Sequence, residues 1–156
     1  MVNPLELAEK LKTEGEKTAR FFAALPNEIW AQQLYTDGAE WSVHQVLAHI
    51  VETEDALNRL FRYIVRTGGG VGEDFDIDPY NANAVEKMSA YSRRQLIDMF
   101  EQRRAAMVEF VSGLSAPDLE KEGRHPFLGH TTLGEMVRLF YLHVNLHVRD
   151  IRRLLR

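Results

Sequence analysis

The sequence predicts an all-α fold: a four-helix bundle in one domain spanning residues 1–156. Three observations predict it. Four segments pair a helix-start signal with apolar residues recurring at spacings of three and four. No strand signal of weight interrupts them. At 156 residues, 45% apolar and 27% charged, the chain has the size and composition of one globular domain that can bury a core without staples.

The first helix opens at Asn3 as N-cap, with Pro4 at the first helical position and Glu6 at N3. Its stripe reads Leu7, Leu11, Thr18, Phe21 and Leu25, and Pro26 stops it. The second opens at Ser42 with Gln45 at N3, a capping box, and Trp41 before the cap is placed to pack on Val46. It continues through Leu57, Phe61 and Ile64 to the glycines at 68–70. The third starts at Ser92, again with glutamine at N3, and its face reads Leu96, Phe100, Met107, Phe110 and Leu114. The fourth starts at Thr132 with Glu135 at N3, a third capping box, and runs through Val137, Phe140, Val144 and Ile151. Segments of this kind, about 20 residues each, bury their stripes most simply against one another.

The connections at residues 27–40 and 115–131 are moderate. The one between the second and third helices, residues 67–91, is long, glycine-rich and then acidic, so it is expected to cross a bundle end or to serve function. Its run Glu73 to Asp78 has the alternating aspartates of a calcium loop. Pro79 stands where that loop needs glycine and Val85 where it needs its bidentate glutamate, so calcium is rejected.

With no cysteine, the chain has no disulfide, thiolate ligand or iron–sulfur cluster. A net charge of −4 gives no general attraction to nucleic acid or anionic membranes, and no long apolar run spans a bilayer. The first residues mix Glu6, Glu9 and lysines with leucine, unlike a signal peptide, so the expected location is the cytoplasm.

Chemistry concentrates in the histidines. His143 and His147 lie four apart on the fourth helix, one turn from each other on one face. His147 falls on the core seam, seven residues from Phe140 and from Leu154. His49, three after Val46 on the second helix, also turns inward. Three neutral imidazoles converging inside a bundle form an open site for a divalent metal ion, suited to zinc, nickel, iron or copper, with zinc or nickel foremost. Burying them together without an ion would leave hydrogen-bonding capacity unmet. Asp150 is a candidate fourth ligand or an acceptor for a ring nitrogen, and Glu52 a candidate orienting group or general base. The pair is not the metalloprotease motif, because Val144 rather than glutamate follows the first histidine.

The segment Trp41-Ser42-Val43-His44-Gln45-Val46-Leu47-Ala48-His49-Ile50 resembles the second-helix signature of the DinB/YfiT-like metalloenzyme family. His143 to Asp150 resembles its fourth-helix H-x-x-x-H, and His125-Pro126-Phe127 through Thr131-Thr132-Leu133 is similar to its lead-in to that helix. The match follows the whole chain in order. It implies a four-helix bundle with His49, His143 and His147 on the ligand positions, and often a homodimer. It also implies a metal-dependent transferase, hydrolase or isomerase acting on a small molecule, in some relatives with a low-molecular-weight thiol. Two residues depart from the family pattern: Gln45 where glutamate is common, and Asp150 where glutamine is common.

Other features read plainly. His44 points away from His49 and is expected at the surface. His125 and His130 flank a loop and are expected to be mostly exposed. Arg149, Arg152, Arg153 and Arg156 offset the dipole of the last helix, with a hold on a thiol cofactor's carboxylates as the functional alternative. Arg93, Arg94, Arg103 and Arg104 read as a solvated face, Arg103 being the one on inner spacing. Besides the metalloenzyme, two readings stand: a non-catalytic metal or ligand binder with Asp150 closing the coordination sphere, and a helical interaction module whose histidines are hydrogen-bonded.

Overall fold

The computed structural model describes residues 2–156. Four long helices form the bundle: α1 (Pro4–Ala23), α2 (Val43–Thr67), α4 (Arg93–Ser112) and α6 (Leu133–Leu154). α1 packs against α4 and α6, and α2 against the same two, so α1 and α2 stand across the bundle from each other. Smaller elements fill the connections: β1 (Gln33–Tyr35), β2 (Trp41–Ser42), α3 (Ile77–Met88), α5 (Ala116–Leu119), β3 (Glu122–His125) and β4 (Gly129–Thr132).

The helix starts follow the sequence closely. The Asn3 side chain accepts from the Leu5 N–H, and Ser42 and Ser92 make complete capping boxes with their glutamines. Thr132 makes only half of one. Its hydroxyl accepts from the Glu135 N–H at 3.3 Å, while the Glu135 carboxylate turns to Arg138 instead. On α1 the deeply buried aromatic is Phe22, 1% exposed, and Phe21 lies partly outside.

The core falls into two apolar clusters. One joins the C-terminal half of α1 to the start of α2, around Phe22, Leu47 and Ile151; the other lies around Leu11, Phe61 and Met107. Between them sits a polar layer. Arg104 crosses the bundle to Glu54, donating from Nε at 3.0 Å, and donates from Nη1 to the Leu11 carbonyl at 2.9 Å. Phe100 and Phe140 flank its guanidinium. Gly15 on α1 makes room for it, since a Cβ there would meet the Arg104 stem. Arg104 is therefore the inward arginine of this helix, one position on from Arg103. Leu96, Phe100, Arg104, Met107 and Val111 form one continuous buried stripe.

Two expectations need correction. The connection at 67–91 is not loop throughout: Asp76 caps α3 by accepting from the Asp78 N–H, and Pro79 sits in the first turn, where a missing N–H is tolerated. Only Val85 and Met88 of α3 are buried, too few to print a stripe. The chain also holds two antiparallel hairpins, β1–β2 and β3–β4, whose strands of two to four residues are too short for alternation to show. The second hairpin lies hard against the α2–α3 connection. The Val71 N–H donates to the Arg124 carbonyl at 3.0 Å, and a side chain at Gly70 would run into the Arg124 backbone.

Candidate metal centre

α2 carries His49 into the bundle on its second turn, where residues 46 to 51 are all buried, and α6 brings His143 and His147 to it one turn apart. One ligating atom from each of the three lies within 4.8 Å of the other two. The ring centroids of His49 are 5.5 Å from His143 and 5.4 Å from His147. Trp41, delivered by β2, lies over His49 at 4.9 Å between centroids.

Burial holds all three imidazoles neutral. It lowers the pKa of His49 and of His147 to about 3, with the neighbouring histidines adding to the effect, and it lowers that of His143 as well. Neutral imidazole is the ligand form. The tautomer of His147 follows from its partners. The Tyr35 hydroxyl donates to Asp150 Oδ2 at 2.7 Å, so at 2.8 Å from His147 Nδ1 it can only accept. Nδ1 therefore bears the proton, and the lone pair is on Nε2, 3.1 Å from His143 Nε2. Two nitrogens on one tetrahedral zinc stand about 3.3 Å apart, given bonds of about 2.0–2.1 Å. The donor set and its spacing thus fit a divalent ion held by three imidazoles.

Of the carboxylates singled out in the sequence, Asp150 reaches the cluster through Tyr35 rather than directly, and Arg149 and Arg153 stand 3.8 and 3.9 Å from its other oxygen. Glu52 accepts from the Tyr80 hydroxyl of α3 at 3.2 Å and faces Arg59 and Arg103 at 3.9 and 4.0 Å, outside the ligand group. Arg152 lies over the Phe21 ring. His44 is half-buried against Trp30 and bonded to the Tyr91 carbonyl, and His130 is exposed beside Glu122.

A cavity of about 270 Å³ opens beside the cluster, with His49 and His143 in its wall. α3 contributes Ile77 and Asn81, and the β3–β4 turn contributes residues 125–128. His125 is not the exposed loop residue the sequence suggests. It is 5% exposed and lines this cavity. Tyr35 and His125 are the site residues that sequence reasoning missed. Tyr35 carried no signal, since one tyrosine in a loop has no spacing to read. His125 stood in the lead-in motif, and its neighbours Pro126 and Gly129 marked the tight turn that buries it. A larger groove of about 750 Å³ between α1 and α4 holds no cluster of three metal-ligating side chains among the described residues.

Comparisons with known proteins place the chain in a family and a fold. The model of the DinB superfamily matches residues 10–151. The chain belongs to the DinB superfamily. Comparison with curated proteins returns no match. Among solved structures it is similar to YfiT from Bacillus subtilis, described as a probable metal-dependent hydrolase with an unusual four-helix bundle topology. The TM-score is 0.80 at 13% identity, over 99% of this chain and 88% of that one. It is similar to a mycothiol-dependent maleylpyruvate isomerase (TM-score 0.73, 15% identity), covering 95% of this chain but only 59% of the isomerase. It is also similar to the colibactin self-resistance protein ClbS, solved in complex with double-stranded DNA (TM-score 0.72, 12% identity, 98% and 95% covered). At these identities the likeness establishes the bundle and its topology. The DinB fold and the three-histidine cluster are thus properties of this chain. No helix among the described residues is long and apolar enough to cross a membrane.

Proposed function

We propose that this DinB-superfamily protein is a divalent-metal enzyme, a transferase or hydrolase acting on a small molecule, with His49, His143 and His147 as ligands and zinc or nickel as the ion. The observation that carries the reading is the convergence of three neutral imidazoles, two of which, His49 and His143, stand in the wall of a cavity. A divalent ion held there would supply Lewis acidity at neutral pH to water or to a low-molecular-weight thiol.

The chain's own residues prepare the place. His147 is fixed in ring orientation and tautomer by Tyr35, and Tyr35 by Asp150, an outer hydrogen-bonded shell of the kind that tunes metal sites. Because Asp150 is engaged by Tyr35 and two arginines, His49, His143 and His147 would hold the ion as its three protein ligands, leaving it able to take a water or thiol. Trp41 and Phe127 cover His49 and His143 and limit water around them. Glu52, tied to Tyr80 of α3, is the carboxylate in reserve for proton transfer if α3 shifts. Assembly as a homodimer is part of the same proposal and rests on family resemblance.

Cobalt substitution tests the open position. The visible spectrum of the cobalt protein should shift on adding a small thiol or azide, and an invariant spectrum would favour a closed, non-catalytic site.

A further inference from the structure

We propose that His125 is a ligand-binding donor, its Nε2–H set to receive the carbonyl or carboxylate oxygen of an apolar small molecule that lies in the cavity beside the three histidines. The proposal rests on the metal-site reading and deepens it by naming the class of molecule.

The tautomer is dictated by the hairpin turn. His125 Nδ1 accepts from two backbone N–H groups, Phe127 at 3.0 Å and Leu128 at 3.1 Å. A ring nitrogen that accepts two hydrogen bonds carries no proton. The imidazole's one proton is therefore on Nε2, on the far side of the ring from the turn. That nitrogen is buried and has no hydrogen-bond partner among the described residues. A buried donor without an acceptor is costly, and native structures keep few of them without a functional reason.

The surroundings say what would meet it. His125 shares the cavity wall with His49 and His143, and no lysine, arginine, aspartate or glutamate lines that wall. Thr53 is also in the wall, but its hydroxyl is spent on the His49 carbonyl at 2.8 Å. Apart from the Asn81 amide of α3 the rest is aliphatic and aromatic, and at the mouth Phe127, Leu128 and Leu146 are 69%, 44% and 47% exposed. Such a cavity suits a ligand with an apolar body and a small hydrogen-bonding head. Its side chains provide no cation for a molecule bearing several carboxylates, and the arginines of the last turn lie outside it.

The variant that separates this role from simple turn capping is His125→Asn. Asparagine Oδ1 can accept the same backbone N–H groups, as in an Asx turn, but the side chain loses the Nε2 donor. Phenylacetate serves as the probe, titrated into zinc-loaded wild type and H125N, with zinc content and melting temperature measured on both. The expected result is equal zinc and equal melting temperature, with probe affinity about tenfold weaker in H125N, the worth of one hydrogen bond to a charged or polar oxygen. Nitrogen-15 spectra of the ring should show the Nε2–H tautomer and a shift of that proton when the probe binds. Equal affinity in the two proteins, or no binding to wild type, would overturn the proposal. Should wild type hold no zinc, the metal reading fails instead. The same titration on metal-free protein then decides the role of His125: weaker binding by H125N upholds it, and equal or absent binding overturns it.

Discussion

Tyr35 and His147 are joined by a 2.8 Å hydrogen bond between the phenol oxygen and Nδ1, and that bond decides which imidazole nitrogen faces the other two histidines. Asp150 sets its direction by accepting the hydrogen bond that the phenol O–H donates. Burial and the Asp150 carboxylate also raise the Tyr35 pKa, so the hydroxyl stays protonated at all working pH. Tyr35→Phe should leave the fold intact and weaken metal binding about 10–100-fold, as loss of an outer-shell partner does elsewhere. Asp150→Asn, which can still accept from Tyr35, should weaken it less. Competition with a chromophoric chelator reads both, and equal affinity in Tyr35→Phe would remove the tyrosine from the site.

The histidines also give the metal-free protein a defined response to acid. An unfolded histidine takes up its proton near pH 6.5, whereas folded His49 and His147 stay neutral to about 3 and His125 to about 4. In that window the unfolded chain binds more protons, so stability falls as pH drops below about 6.5. Each group adds up to about 1.4 kcal/mol per pH unit. Urea midpoints of the metal-free protein should decline steadily from pH 7 to pH 5, and His49→Leu should decline with a visibly shallower slope. A flat profile over that range would mean that the imidazoles are not buried neutral.

Glu54 and Arg104 are 0% and 4% exposed, so removing either leaves the other buried without its partner. Burial raises the Glu54 pKa and the guanidinium opposes it. Arg104→Met leaves a buried carboxyl without its partner and should cost about 3–5 kcal/mol, while the double change with Glu54→Leu should recover most of that loss. Chemical denaturation of the three variants checks it. Additive losses would show that the pair is not coupled.

The α1–α4 contact is tested through Gly15. A Cβ there meets the Arg104 stem, so Gly15→Ala should destabilise the wild type despite alanine's better helix propensity. In the Arg104→Met background the penalty should shrink, because the flexible methionine can give way. An equal penalty in both backgrounds would place the clash elsewhere.

The four long helices were legible because each combined a cap with a stripe: Ser42 with Gln45 and Ser92 with Gln95 mark their starts to the residue. The three-histidine cluster was legible for the same reason, since helical spacing places His143 and His147 one turn apart and His49 on an inward face. What was not legible depends on tertiary contact. Arg104 is inward because Glu54 receives it from another helix, and a charge on a stripe otherwise reads as solvent-facing. α3 buries two side chains and is held by contact with α2, so its sequence shows a cap without a pattern. Tyr35 meets Asp150 only because the β1–β2 hairpin folds back onto α6 across 115 residues of chain.

The most direct test of the central claim is metal content, measured by elemental mass spectrometry on protein purified without a histidine tag, alongside His49→Ala and His147→Ala. Near one equivalent of a divalent metal in wild type, lost in both variants while each remains helical by circular dichroism, is the predicted result. Background metal in wild type after incubation with zinc and nickel, or full retention in either variant, would contradict it.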